Sequence, residues 1–290
     1  MRFKILIIAI FIGFLGPQSA ALAIDLNPGD VRAPPAGLKA LRLTYQHSQL
    51  DNSDANLSFR SEQLQARLGG AFTLGEMPAY AFVQVPLVRN TDQSGNPNVP
   101  DVGSVSGLGD TSLGLAIWPH ADPVQRTYFG LAAYLFLPTG DYDAERLSWL
   151  NPGANRTSLA LQVGYERPLL PRLQWMSAAD ALWFGSNDAW GADRQKRQQK
   201  PLYSAQTGVQ YLFPRGQTLG VAYLYNAGGA ARVSGGDYQN RLENQRLQIT
   251  ATWPVPARAG FVSLQYGTKL SAQAGFIEAQ RWNLSWIQLF

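Results

Sequence analysis

An all-β fold, a transmembrane antiparallel up-and-down β-barrel of about twelve strands, is predicted by three features of this sequence. Runs of about ten residues alternate apolar and polar side chains, a length that crosses a membrane as a tilted strand. Short turns rich in Pro and Gly alternate with longer polar connections, the asymmetry such barrels show. The last run, Asn283-Leu284-Ser285-Trp286-Ile287-Gln288-Leu289-Phe290, closes on an aromatic residue. Phe290 shares one face with Trp286, Leu284 and Trp282, and only Gln288 breaks the pattern. Phe290 is therefore read as an insertion signal for the barrel-assembly machinery.

Residues 1–23 read as a secretory signal peptide. Arg2 and Lys4 precede an apolar run from Ile5 to Leu15, and Ala21-Leu22-Ala23 supplies the small residues of a cleavage site. The run is shorter than the roughly 20 residues a membrane helix needs, and Pro17 and Gln18 end it. The chain has no cysteine, which excludes a lipoprotein anchor and disulfides. Arg2 and Lys4 supply two units of the formal net charge of +4, so the basic balance does not point to nucleic acid. No nucleic-acid partner is expected.

Residues 24–38 carry two clusters of turn chemistry, Asn27-Pro28-Gly29-Asp30 and Pro34-Pro35-Ala36-Gly37, and are expected to form an irregular periplasmic arm. The barrel is assigned to 39–290. Its strands are placed near 39–49, 63–74, 79–88, 109–118, 127–137, 156–167, 174–185, 201–213, 218–227, 244–253, 259–269 and 277–290. The clearest is Asn244 to Trp253, where Leu247, Ile249, Ala251 and Trp253 oppose Arg246, Gln248, Thr250 and Thr252. A helix would not separate these sets, because its apolar positions recur at three and four. A soluble β-protein is the rival, but its strands are usually nearer five or six residues.

Aromatic placement adds weight. Trp118, Trp175 and Trp253 fall at the turn ends of their segments, and Trp183, Tyr225 and Trp282 fall near the loop ends, as two interfacial girdles would. Trp118 is the weak member, since parity sets it opposite Leu113, Leu115 and Ile117.

With the apolar face outward, Arg42, Arg67, Gln162, Glu166, Asp180, Gln206, Gln210, Arg246 and Gln248 face the lumen, together with Thr44, Gln46, Gln65 and Gln265. Two readings compete for this polar lining, a wetted solute pathway and an interior filled by Arg–carboxylate pairs and Gln ladders. Eight strands enclose a filled interior and sixteen or more an aqueous channel, so about twelve lies between. Asp180 sits in an apolar stretch and is expected to turn inward, because an ionised carboxylate is too costly in lipid. An ion pair with Arg246 or Arg67 is the expected outcome, and a solute contact the alternative. The run Arg194 to Lys200 in an outer loop suits lipopolysaccharide phosphates or anion steering, against the plainer reading of a solvated loop.

Catalysis has little support. His47 and His120 are the only histidines, Ser48 lies on the face opposite His47, and no glycine-flanked nucleophile, phosphate loop or metal-ligand cluster is present. No cofactor is expected.

The loops carry a resemblance. Gly107-Leu108-Gly109-Asp110 leads into a strand, Leu137-Pro138-Thr139-Gly140-Asp141-Tyr142-Asp143 leaves one, and Asn151-Pro152-Gly153-Ala154-Asn155-Arg156 enters the next. In this order they resemble the outer-membrane family associated with the MetA pathway of phenol degradation, over nearly all of the chain after residue 23. The resemblance implies a barrel that passes aromatic or other hydrophobic compounds across the bacterial outer membrane. Read physically, the motifs are turn chemistry that folds loops over the mouth. Asp110, Asp141, Tyr142 and Asp143 are also candidates for a gate. The resulting reading is an outer-membrane channel or facilitator for small, hydrophobic or aromatic molecules. A plugged barrel with a structural or surface role is the alternative, and a barrel enzyme comes third.

Overall fold

Period-two alternation becomes a closed wall. The structure, a computed structural model, describes residues 24–52, 56–94, 103–255, 260–273 and 275–290, and the signal-peptide reading therefore lies outside the described residues. Strands run in chain order β1 (Lys39–Asn52), β2 (Leu57–Leu74), β3 (Met77–Asp92), β4 (Ser104–Leu108), β5 (Thr111–Asp122), β6 (Thr127–Leu137), β7 (Ser158–Leu170) and β8 (Leu173–Phe184). They continue as β9 (Asn187–Trp190), β10 (Gln195–Gln199), β11 (Leu202–Leu212), β12 (Thr218–Gly228), β13 (Ala231–Val233), β14 (Leu242–Val255), β15 (Gly260–Gln273) and β16 (Ile277–Leu289). Thirteen of these share one sheet, and since β4 pairs only with β3, twelve go round the barrel. Every neighbouring pair is antiparallel, and β1 closes on β16 from Ala40↔Leu289 to Asp51↔Ile277. Closure leaves no strand edge to satisfy in lipid.

The burial pattern is that of a soluble protein turned inside out. Leu43, Leu64, Leu68, Leu115, Leu161, Ile249 and Leu284 are exposed on the outer wall, while Thr44, Gln162, Gln206, Gln248, Thr250, Gln265 and Asn283 are buried within it. Water would not reward that arrangement, whereas a hydrocarbon surround does. Trp183, Trp253 and Trp282 face outward, as a girdle requires. Trp118 does not, because its indole turns inward and donates to the Val31 carbonyl at 2.6 Å. Its parity, opposite Leu113 and Leu115, had that consequence.

Turns at one rim are short. Leu74 and Met77 pair directly across Gly75-Glu76, with Gly75 at φ +61°, a conformation that costs glycine little. Asp122 accepts from the N–H groups of Val124 and Gln125 and so caps the turn into β6. Connections at the other rim are longer and carry structure of their own. Strands β9, β10 and β13 form a small separate sheet there, joining two loops.

Candidate functional site

Residues 24–38 were expected outside the barrel, and the structure places them within it. The arm starts its descent into the lumen beside β1 at the rim of short turns, where Gly37 donates to the Ala71 carbonyl. Its turn Asn27-Pro28-Gly29-Asp30 closes through Asp30 N–H to the Asn27 carbonyl at 2.9 Å, with Gly29 at φ +104°. Pro at the second position and Gly at the third suit that turn. Folding back on itself, the arm presents polar groups to the wall on many sides. Gln162 and Gln206 both donate to the Ile24 carbonyl, at 2.9 and 3.0 Å, and Leu26 N–H donates to Gln206. Asn27 accepts from Gln248 and Thr250, and Pro28 accepts from Gln210. Arg32 donates to Glu166 and to Gln210, both at 2.6 Å.

The strongest attachment is a buried four-residue network. Arg246 contacts Asp25 and Glu278, each at 2.6 Å, and Arg281 contacts the same two carboxylates, each at 2.7 Å. Two cations and two anions alternate, so each charge is compensated twice, which is the condition under which buried ion pairs are tolerated. Glu278 reaches this network because the register slips between Gln49 and Leu50, putting an extra residue into β16.

Of the luminal candidates, Gln162, Glu166, Gln206, Gln210, Arg246 and Gln248 thus hold the arm. Arg42 and Arg67 do something different: they line a cavity of about 220 Å³ between the arm and the wall of β1–β3, β5, β6, β15 and β16. Gln46, Gln63, Gln65 and Gln84 line it too, as a ladder in which Gln65 donates to Gln63 at 3.0 Å and to Gln46 at 3.4 Å. Phe82, Tyr134 and Phe136 give it an aromatic side.

Asp180 turns inward, but the expected pair with Arg246 or Arg67 does not form. Arg246 is taken by Asp25 and Glu278, while Arg67 donates to Gln84 at 2.8 Å and lies 4.1 Å over the Phe82 ring. Among the described residues, neither buried Asp180 oxygen has a hydrogen-bond partner.

At the loop rim, the motifs fasten one loop to another. Asp110 accepts from the N–H groups of Gly140 and Ala154, at 3.0 and 2.8 Å, and Asp141 accepts from Leu108 N–H at 2.8 Å. Burial pushes the Asp110 carboxyl above its ordinary range, an effect those two N–H donors oppose. Asp143 N–H donates to Asn151, and the Tyr142 hydroxyl donates to the Ala189 carbonyl in β9. Gly140 and Gly153 touch backbone to backbone: a Cβ on Gly153 would lie 2.6 Å from the Gly140 carbonyl carbon. The loop so held packs Trp149 and Leu150 with Leu50, Leu57, Phe59 and Phe276, covering part of the mouth. Within the basic run, Gln195–Gln199 is strand β10 and Arg197 is buried against Trp190, 4.4 Å from its ring. Burial lowers the Arg197 guanidinium to about 10. Arg197 is thus part of the small folded loop sheet, with Lys196 exposed beside it.

Asp25, Arg32, Glu278, Arg281 and the aromatic wall of Phe82, Tyr134 and Phe136 were missed in the sequence. The arm's composition, two turns among scattered charges, reads as a linker, and its partners lie on strands far along the chain. Glu278 has the wrong parity unless the bulge is known.

Comparison with known proteins bears on the barrel itself. An outer membrane channel from Pseudomonas putida F1 superposes with a TM-score of 0.84 at 26% identity, covering 92% of this chain and 100% of that one. The β domain of the Bordetella autotransporter BrkA gives a TM-score of 0.53 at 12% identity, covering 88% of this chain and all of that one. The translocator domain of the Neisseria meningitidis autotransporter NalP gives 0.52 at 11%, covering 90% and 91%. These two share the fold alone. Among curated proteins nothing matches. The barrel is of the bacterial outer-membrane kind, and a family model spans residues 44–284. The chain belongs to the family described as putative MetA-pathway of phenol degradation.

Proposed function

We propose that the protein is an outer-membrane channel for small molecules of about one aromatic ring, and that the solute passes beside the arm. The observation that carries this is the cavity of about 220 Å³ between the arm and the Gln, Arg and aromatic wall. By volume alone that is room for one ring, since a cavity of roughly 150 Å³ accepts benzene, and the mostly polar lining suits a ring that carries a polar group. The similar protein from Pseudomonas putida F1 is an outer membrane channel, and the family's description points to phenol degradation, which together favour aromatic solutes. Glutamine amides and ring faces form a wall that slides past a phenol or a simple arene without a deep trap, as conduction requires.

The reading is of transport and not catalysis, with no cofactor. His47 and Ser48 sit on opposite faces of β1, where Ser48 donates to Glu278 at 2.8 Å. Lipid and lipopolysaccharide at the outer wall and the barrel-assembly machinery at Phe290 are its proposed partners. Proteoliposome uptake of phenol and toluene, with bilayer conductance, tests the reading. Uptake faster than through protein-free liposomes supports a channel. Its absence leaves the barrel plugged, an outcome to which the buried Asp25 network lends weight.

A further inference from the structure

Arg42 and Arg67 are direct partners in the β1–β2 register. Like charges set opposite one another in a sheet repel, and the usual remedy is a carboxylate between or beside them. Here there is none. Neither arginine forms an ion pair among the described residues, and the Arg42 Nε is buried without a partner. Arg42 spends one N–H on Ser285 at 3.3 Å, and Arg67 spends one on Gln84. The other charged groups lining the cavity are committed elsewhere: Asp25 to Arg246 and Arg281, Arg281 to Glu278 and Asp25, and Asp30 to the main chain and side chain of Asn27. Both guanidinium groups line the cavity and the aromatic side chains Phe82, Tyr134 and Phe136 share it.

We infer that this cavity is a binding site for an aromatic carboxylate, whose anionic group sits between Arg42 and Arg67 and whose ring lies toward Tyr134 and Phe136. A guanidinium fork matches a carboxylate in geometry and charge. The site supplies two such forks, neither of them ion-paired among the described residues, and room for one ring. A neutral ring passes without bridging the two arginines, whereas an acid bridges them, so the acid is held the more tightly. The inference deepens the channel reading by naming a solute class, and binding stands or falls separately from flux.

The experiment is a ¹⁹F NMR titration of the full-length protein in detergent with 4-fluorobenzoate, with 4-fluorotoluene as neutral ring and fluoroacetate as ring-free acid. Arg42→Gln and Arg67→Gln are compared after their heat-modifiable mobility shows a folded barrel. Saturable binding of 4-fluorobenzoate is expected, weaker by about tenfold or more in each variant, since a hydrogen bond to a charged group is worth that factor. Both controls should bind more weakly. No saturable binding, equal binding of 4-fluorotoluene, or binding unaffected in both variants overturns the inference. If a variant fails to fold, Arg67→Lys, which keeps the charge and loses the fork, should retain the fold and weaken binding. Conductance without benzoate binding sinks this inference and leaves the channel; benzoate binding without conductance does the reverse.

A second observation is independent of the first. The Asp180 carboxylate, 7% exposed in the lumen, has neither oxygen bonded. Ser204, Gln162 and the Ile24 N–H are the polar groups set around it, and among the described residues it faces no cation. Ile24 is fixed in place by two glutamine bonds to its carbonyl. The small residues of the cleavage site end at Ala23. We propose that hydrolysis of the Ala23–Ile24 peptide bond, by water under a leader peptidase, leaves an α-ammonium on Ile24 that neutralises Asp180 inside the barrel. A buried ionised carboxylate without a partner is costly, and a primary ammonium with three donors answers it. Intact-mass measurement of the protein from outer membranes should give a chain starting at Ile24. Asp180→Asn should lower the thermal midpoint in that chain, and much less in one refolded with an extra N-terminal Met before Ile24. A start at another residue, or an equal effect of Asp180→Asn in both chains, overturns the proposal.

Discussion

Arg246 and Asp25 lie 221 residues apart in sequence and 2.6 Å apart in the barrel interior. That contact, with Arg281 and Glu278 beside it, turns an N-terminal segment of turn-like composition into an internal wall. The arm narrows the lumen to one side. The cavity of about 220 Å³ lies beside it.

Removing the Asp25 charge strands Arg246 and Arg281 with one carboxylate between them. Asp25→Ala is expected to cost about 3 to 5 kcal/mol, the range for breaking a buried pair. Because the arm then loses its strongest anchor, conductance should rise. A thermal melt by circular dichroism and a single-channel recording read the two effects; unchanged values in both would mean that the arm is held by other contacts.

Facing is tested at neighbouring positions of β14. Ile249 is 42% exposed on the outer wall and Gln248 is 3% exposed within, bonded to Asn27. Ile249→Arg should impair membrane insertion at about 2 to 4 kcal/mol near mid-membrane, while Gln248→Ala should insert normally and lose only the arm contact. Urea unfolding in liposomes separates them, and equal penalties would overturn the register.

Where Gly140 and Gly153 meet, there is no space for a side chain. Gly153→Ala should force the loop carrying Trp149 and Leu150 off the mouth, costing about 1 to 3 kcal/mol as overpacking does. Faster proteolysis within 138–157, with the barrel intact, is the expected sign. Unaltered cleavage would show that the loop tolerates the shift.

At the last residue, Phe290 is 68% exposed and its main chain pairs with Lys39. Deleting it should reduce folded barrel in the outer membrane while refolding in detergent stays near normal, since the loss is of a recognition signal. Quantitative heat-modifiable gels on membrane fractions measure this, and full yield would remove Phe290 from that role.

The barrel was legible because lipid and lumen impose opposite chemistry on alternate residues. Ile249 and Gln248, or Leu161 and Gln162, could not exchange faces without penalty, so parity alone sorted them. Trp118 shows the same rule at work, since its parity pointed inward and the indole is found on Val31. Parity fails where the strand bulges, which is why Glu278 escaped notice. The arm was hidden for another reason. Its fold is decided by distant partners such as Arg246 and Gln210, and no local pattern in 24–38 announces them. Likewise the sequence marked Asp180 as an inward carboxylate but could not show that its expected arginines were already engaged.

If solute moves through the cavity between the arm and the barrel wall, filling that cavity should block it. Gln65 lines the cavity from β2, and Gln65→Trp places a bulky ring there without touching the arm's bonds. Phenol uptake into proteoliposomes should be measured for the wild type and for this variant, each with matched amounts of folded barrel. Uptake above the protein-free rate is expected for the wild type, with at least a tenfold loss of that excess in Gln65→Trp. Wild-type uptake no faster than the lipid background, or excess uptake that Gln65→Trp leaves intact, would contradict that path.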